Sequence, residues 1–529
     1  MISYHKMKEI NQRVGGVAIN WITIFLQVVI SLFFIPFFLN TVGDKQYGLY
    51  SFSTSLISWA DVLMVSIASA YFKFLTREKK AHGEYGEARA CGVFFKFFFF
   101  VALLVLVLGL VFDLLLFIGI IPLNEYSGIE KNQICILILM SLCSTTLSSV
   151  FATAKSYPYY KQKYIIVYSL SLAQLLVQTG LSVLFLKLGL GVVFVALSHF
   201  GTAILVTLLL SLFSKKRLGI KISLNVSDVS DKQYRKKLFL EIFVFSSFVL
   251  INTIVDMLNK SLDKILLGFY NADSVSTYQL AYTIPSYLIS ITSIISVVNI
   301  QKINEAFYHG GGLDGLNETY LRVSKIQTIV TFLLVGGFLA AGKEFISLWL
   351  DNTRIKVYYI SCVLMLIYSL TCSNALGVVA RRIRNCHIKA SIIYLGIAVS
   401  NIASSILFIN LLSKENAIWG CVLGTVITYI VGHYLIMQIY DAKVTKLKTG
   451  SFFKVFILYL IISLSICVFI NRVFELIIVK NVLTSFIIKG MLYVFIYMMF
   501  LMVFERDFVL LIIKKIGSKI RIVTHRRGS

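Results

Sequence analysis

Apolar positions in this chain fall in long uninterrupted runs, not in alternation. Ten stretches of 17 or more residues hold no Asp, Glu, Lys or Arg: 14–43, 132–154, 164–186, 188–214, 274–301, 326–342, 357–380, 390–413, 416–440 and 455–471. Four more are equally apolar around an internal charge: 47–72 (Asp61), 92–119 (Lys96, Asp113), 240–268 (Asp256, Lys260, Asp263, Lys264) and 482–504 (Lys489). A helix needs about 20 apolar residues to cross the hydrocarbon core. The pattern therefore predicts an all-α polytopic membrane protein with fourteen transmembrane helices. Buried helices of a soluble protein could imitate one or two of these runs, but not fourteen.

Polar residues inside the spans form stripes at helical spacing. They are Asn20, Gln27 and Ser31 in span 1, Thr54, Ser58 and Asp61 in span 2, Ser171, Gln174, Gln178 and Ser182 in span 5, and Thr283, Ser286, Ser290 and Ser293 in span 8. A single Ser or Thr stripe reads as interhelical hydrogen bonding, whereas several together predict a hydrated cavity for hydroxyl-rich cargo. Charges are costlier in hydrocarbon and mark function or pairing. Asn252, Asp256, Lys260 and Lys264 follow one another at i, i+4 up span 7, with Asp263 beside Asn259. Asp256 and Lys260 can neutralise each other. Alternatively, the lysines meet an anionic head group while a carboxylate exchanges H⁺ or Na⁺. Asp61 has no local partner and serves either an ion or packing. Lys73 and Lys96 can snorkel to the cytoplasmic face and Lys489 to the outer one, while His199 and His433 read as packing residues.

Composition agrees with the span pattern. Of 529 residues 58% are hydrophobic and 14% charged, against about 45–50% and 25% in soluble domains. The net charge of +25 would by itself suggest nucleic acid, but its placement argues otherwise. With the N-terminus cytoplasmic, inside segments carry 37 of the 50 Lys and Arg, outside loops nine and the spans four. That asymmetry fits the positive-inside rule with both termini cytoplasmic, adds contact with anionic lipid and excludes a nucleic-acid partner. The first apolar run lacks a small-residue cleavage site and reads as a retained signal anchor. The eight cysteines form no CxxC, so neither disulfides nor a metal site is expected. Residues 508–527 read as an interfacial amphipathic helix.

An internal repeat divides the chain. Tyr47–Phe52 precedes Val275–Leu280 by 228 residues, Lys163-x4-Tyr168 precedes Lys389-x4-Tyr394 by 226, and Gly191 precedes Gly420 by 229. Six spans per unit keep both units in one orientation, as in transporters with parallel repeats. The expected organisation is an N-lobe over 1–213, a basic linker over 214–238, a C-lobe over 239–440, an added helix pair over 441–504 and a basic tail over 505–529. The added pair reads as a lateral wall or lipid groove.

Three segments carry a family resemblance. Phe38-Leu39-Asn40-Thr41-Val42-Gly43-Asp44-Lys45-Gln46-Tyr47-Gly48-Leu49-Tyr50 resembles the turn after span 1 of the Wzx-type polysaccharide flippases of the MOP superfamily, which also holds the MATE drug exporters. Leu262-Asp263-Lys264-Ile265-Leu266-Leu267-Gly268 is similar to their signature ending span 7, and Asp61 through Lys73 to their span 2 stretch, with Lys where Arg is common. The resemblance covers about residues 10–440. It implies two six-helix lobes around a central cavity that flip an undecaprenyl-pyrophosphate-linked oligosaccharide from the cytoplasmic to the outer leaflet of a bacterial cytoplasmic membrane. A polysaccharide polymerase and a chain-length regulator are its implied partners. The candidate cargo-binding residues are Lys260, Lys264, Lys73, Gln174, Gln178, Asn20 and Gln27, and the candidate ion-coupling residues Asp61, Asp256 and Asp263.

Rival readings remain open. A peptidoglycan-precursor flippase belongs to the same class. A multidrug or cation antiporter calls for an acidic cavity, not one carrying Lys260 and Lys264. A membrane polymerase or acyltransferase needs a larger outside loop than 119–131 or 343–356 supplies, so no enzymatic activity and no cofactor are expected.

Overall fold

The computed structural model describes the backbone of residues 4–224, 229–308, 311–384, 386–476 and 481–506. Within these, the side chains at 4–11, 13, 14, 17, 57, 59–69, 230, 248, 251, 252, 255, 256, 259, 260, 272, 297, 298, 301 and 414 are not described. The expected tail helix at 508–527 lies outside the described residues.

The described chain is helical throughout. The helices are α1 (Tyr4–Ile118), α2 (Gly128–Val150), α3 (Ala152–Tyr160), α4 (Tyr164–Lys187), α5 (Val192–Lys216), α6 (Val229–Tyr270), α7 (Ala272–Tyr308) and α8 (Leu313–Trp349). They continue as α9 (Ile355–Ser373), α10 (Ala375–Ile383), α11 (His387–Leu412), α12 (Ala417–Tyr429), α13 (Met437–Tyr440), α14 (Thr449–Leu476) and α15 (Val482–Phe504). α1 is three helices in series, because Gly43 (φ 84°), His82 and Gly83 (φ 62°) leave helical geometry. The positive φ at Gly43 suits glycine, which has no Cβ to clash. Among the described residues eleven segments are long and apolar enough to cross a membrane. The predicted spans 47–72, 240–268 and 274–301 also lie in helices, and each includes side chains that are not described. The protein is therefore an all-α, multi-pass membrane protein.

Two compact units divide the contacts: Met1–Leu280 with Ile388–Thr428, and Ala281–His387 with Tyr429–Ser529. In the first, Leu258 and Leu262 of α6 pack with Ala398 of α11, flanked by Ile254, Leu266, Tyr394 and Ile402. The two repeated turns also meet here. Ser276 Oγ donates to Asp44 Oδ1 at 3.4 Å, and the Phe52 and Phe269 rings contact edge-on at 5.4 Å. A Cβ on Gly268 would lie 2.1 Å from the Phe52 ring, so glycine at this position makes room for that ring.

In the second unit α14 and α15 dock on α8 by hydroxyl-to-carbonyl bonds. Tyr493 donates to Phe332 O at 2.7 Å and Tyr497 to Ile329 O at 2.9 Å. Gly336 makes room, since a Cβ there would sit 1.9 Å from the Tyr493 hydroxyl. Lys489 is paired. Its ammonium meets Glu344 at 2.5 Å, with both side chains largely buried. Pairing keeps either charge from standing desolvated alone.

Candidate functional site

Among the described residues a buried polar cluster gathers around one sequence-predicted residue of the first unit, Asp263. Its position follows from small residues. Gly420 and Gly424, a GxxxG pair on α12, let that helix press on α11, where a Cβ at Gly424 would lie 2.4 Å from Ser405 Oγ and one at Gly420 2.6 Å from Ile409 N. Small-xxx-small spacing permits such close helix crossing in membranes. The approach sets Thr425 of α12 beside Asn401 and Ser405 of α11, which are one turn apart.

Asp263 completes the group from α6. It is 5% exposed. Its Oδ2 accepts from the Tyr278 hydroxyl and from Thr425 Oγ1, the latter at 3.0 Å. Thr425 Oγ1 also reaches Asn401 Oδ1 at 3.4 Å, and Ser405 Oγ donates to the same oxygen at 3.2 Å. Cys421 Sγ points at the Asp263 carbonyl at 3.9 Å. The other carboxylate oxygen, Asp263 Oδ1, is buried without a hydrogen-bond partner among the described residues. A buried carboxylate left partly unsatisfied is costly. Chemically, the cluster offers one negative charge and several neutral oxygens. That set suits a proton or a hard monovalent cation, since oxygen ligands favour hard ions. Among the described residues no group of three His, Cys, Asp or Glu gathers as metal ligands.

The other predicted residues fall as follows. Lys264 is half-buried, one position beyond Asp263, and interacts electrostatically with it. Asp61, Asp256 and Lys260 lie outside the described side chains. Lys73 is exposed, with its ammonium 4.2 Å from the Phe245 ring centroid. Asn20, Gln174 and Gln178 are half-buried and Gln27 exposed. The α4 stripe divides. Ser182 bonds across to Ser198 of α5 at 2.5 Å and serves packing, while Gln178 and Gln174 stand one and two turns away. His433 is buried and stacked on Tyr429 at 4.4 Å, in keeping with a packing role.

Asn401, Ser405 and Thr425 were not among the expected site residues. Each reads alone as an ordinary helix-packing residue. The available signal was the i, i+4 pairing of Asn401 with Ser405, together with the GxxxG immediately before Thr425.

No protein-family model and no curated protein sequence matches the chain. Solved structures do match in fold. A structure described as "Lipid II flippase MurJ, inward closed conformation" superposes with a TM-score of 0.68 at 16% identity, over 93% of this chain and 99% of that one. An inward-facing multidrug resistance MATE family transporter of the MOP superfamily gives 0.59 at 15% identity, over 79% and 95%. A MOP superfamily transporter from Pyrococcus furiosus gives 0.51 at 14% identity, over 82% and 95%. The chain thus shares the fold of MOP-superfamily transporters.

Proposed function

We propose that the protein moves a lipid-linked oligosaccharide, on an undecaprenyl-pyrophosphate carrier, from the cytoplasmic to the outer leaflet by alternating access. In this reading fourteen helices form two six-helix lobes and an added pair in a bacterial cytoplasmic membrane, with both termini cytoplasmic. H⁺ or Na⁺ on Asp263 couples the cycle. The observation that carries coupling is the Asp263 cluster, because an unpartnered buried carboxylate oxygen is stabilised by a proton or a monovalent cation. Asn401, Ser405 and Thr425 would help hold a Na⁺ there. Since α6, α11 and α12 all supply oxygens, occupancy biases how these three helices pack, the kind of bistable contact that population shift needs.

Two features support lipid-linked cargo over a drug. The MurJ likeness leaves about 7% of this chain uncovered, roughly 37 residues, fewer than the 51 in α14 and α15. The added pair is therefore at least partly shared with that flippase fold. Lys260 and Lys264 suit a pyrophosphate as point charges, and the amides of Asn20, Gln27, Gln174 and Gln178 suit sugar hydroxyls. Deleting the gene tests the reading. Lipid-linked repeat units should accumulate in the cytoplasmic leaflet; normal surface polysaccharide with raised drug sensitivity would assign the chain to drug export instead.

A further inference from the structure

A cavity lies wholly within the first unit and shares no lining residue with the Asp263 cluster. It has a volume of about 750 Å³ and is lined by Gln12, Thr76, Lys79, Tyr160, Lys161, Lys163 and Tyr164, among others. That size falls within the roughly 300–1,000 Å³ typical of small-molecule sites. All of these residues but Tyr164, which opens span 5, belong to segments that the charge distribution assigns to the cytoplasmic side.

Its chemistry is cationic and organised. Glu87 accepts from Lys79 at 2.9 Å and from Lys161 at 2.6 Å, and the Tyr157 hydroxyl donates to the same carboxylate. One carboxylate thus fixes two ammonium groups without cancelling both. Lys163 adds a third and makes no ion pair among the described residues. Lys163 and Tyr164 also begin α4, whose first turn has no side-chain cap and no acidic residue. Its unsatisfied N–H groups and dipole favour an anion. Gly15 and Gly16 bring the first helix of α1 onto this turn, where a Cβ at Gly16 would lie 2.4 Å from Tyr164 Cβ. On the same wall Gln12 adds an amide, which can bond a hydroxyl. Tyr160 and Tyr164 supply flat apolar faces.

We propose that this cavity is a binding site for a phosphorylated polyol, with the phosphate on Lys161, Lys163 and the α4 N-terminus and a polyol hydroxyl on Gln12. The same chemistry occurs in an anionic glycerophospholipid head group and in a soluble phosphate ester. The site is independent of the transported cargo and of Asp263.

The full-length protein in neutral detergent tests it. sn-Glycerol 3-phosphate is titrated by calorimetry, and retention of phosphatidylglycerol over phosphatidylcholine from mixed vesicles is read by native mass spectrometry. Saturable binding of the soluble ester without lipid preference assigns the site to soluble phosphate esters, and lipid preference assigns it to the membrane. In either case Lys163→Gln weakens the interaction about tenfold, the loss of one charge-assisted hydrogen bond. Lys161→Gln should act in the same direction, but it also unbalances Glu87, so Lys163→Gln, with no ion pair to break, is the deciding variant. Absence of both kinds of binding, or binding unchanged in a Lys163→Gln protein that elutes as a normal monodisperse species, overturns the proposal.

Discussion

Two buried aspartates in this molecule satisfy their charge in opposite ways. Asp441, at the end of the α12–α13 segment in the second unit, is fully buried and takes Arg381 Nη1 on Oδ2 at 2.6 Å, with Arg381 itself 3% exposed. Thr445 donates to its other oxygen at 3.2 Å, and the Leu447 amide closes onto its carbonyl at 3.0 Å. Asp263, in the first unit, is almost as buried, yet its described hydrogen-bond partners are hydroxyls and one of its oxygens has none. The first arrangement is complete without any visitor. Among the described residues the second leaves Asp263 Oδ1 open, the place that the proposed function gives to an ion. Burial of a charge alone therefore does not separate the two aspartates; the groups that surround it do.

The difference can be broken experimentally. The largest stability effect is expected from Arg381→Met, which strands Asp441 in a dry site and should cost about 3–5 kcal/mol. Thermal unfolding of the purified protein would register it, and adding Asp441→Leu should recover most of the loss because an apolar pair of similar volume replaces the ions. Asp263→Asn should do the reverse. Stability should change by no more than about 1 kcal/mol, since the carboxamide keeps the shape of the group and no described salt bridge is broken, while under the proposed function transport loses its dependence on the H⁺ or Na⁺ gradient. If Asp263→Asn unfolds the protein and transport by the remainder still follows the gradient, Asp263 is another structural carboxylate.

Smaller changes sharpen the contrast. Gly268→Ala should cost about 1–3 kcal/mol by overpacking against Phe52, shifting α6 and with it Asp263; a smaller side chain at Phe52 should relieve the loss. Thr425→Val removes one oxygen from the cluster while keeping its shape. The half-saturating concentration of the coupling ion should rise about three- to tenfold, the worth of one hydrogen bond. An unchanged value would leave Thr425 out of the ion's shell.

Both aspartates were visible in the sequence, but only one as a candidate. Asp263 drew notice because it interrupts an apolar run. Asp441 and Arg381 sat just past the ends of spans 12 and 10, where they counted as loop charges, and nothing in their spacing announces a contact across sixty residues. Lys489 shows the same limit, because its partner Glu344 lies 145 residues away. The partners of Asp263 were hidden for a related reason: polar residues in membrane helices are common, and which of them converge depends on how closely helices approach.

Hydrophobicity is a local property, so run length by itself determined that this chain is a helical, multi-pass membrane protein. Shell completion is not local. Only the tertiary structure decided that Arg381 closes on Asp441, and that Gly420 and Gly424 bring Thr425 to Asp263 and Asn401, because these outcomes depend on the contact distance between helices that the sequence keeps far apart.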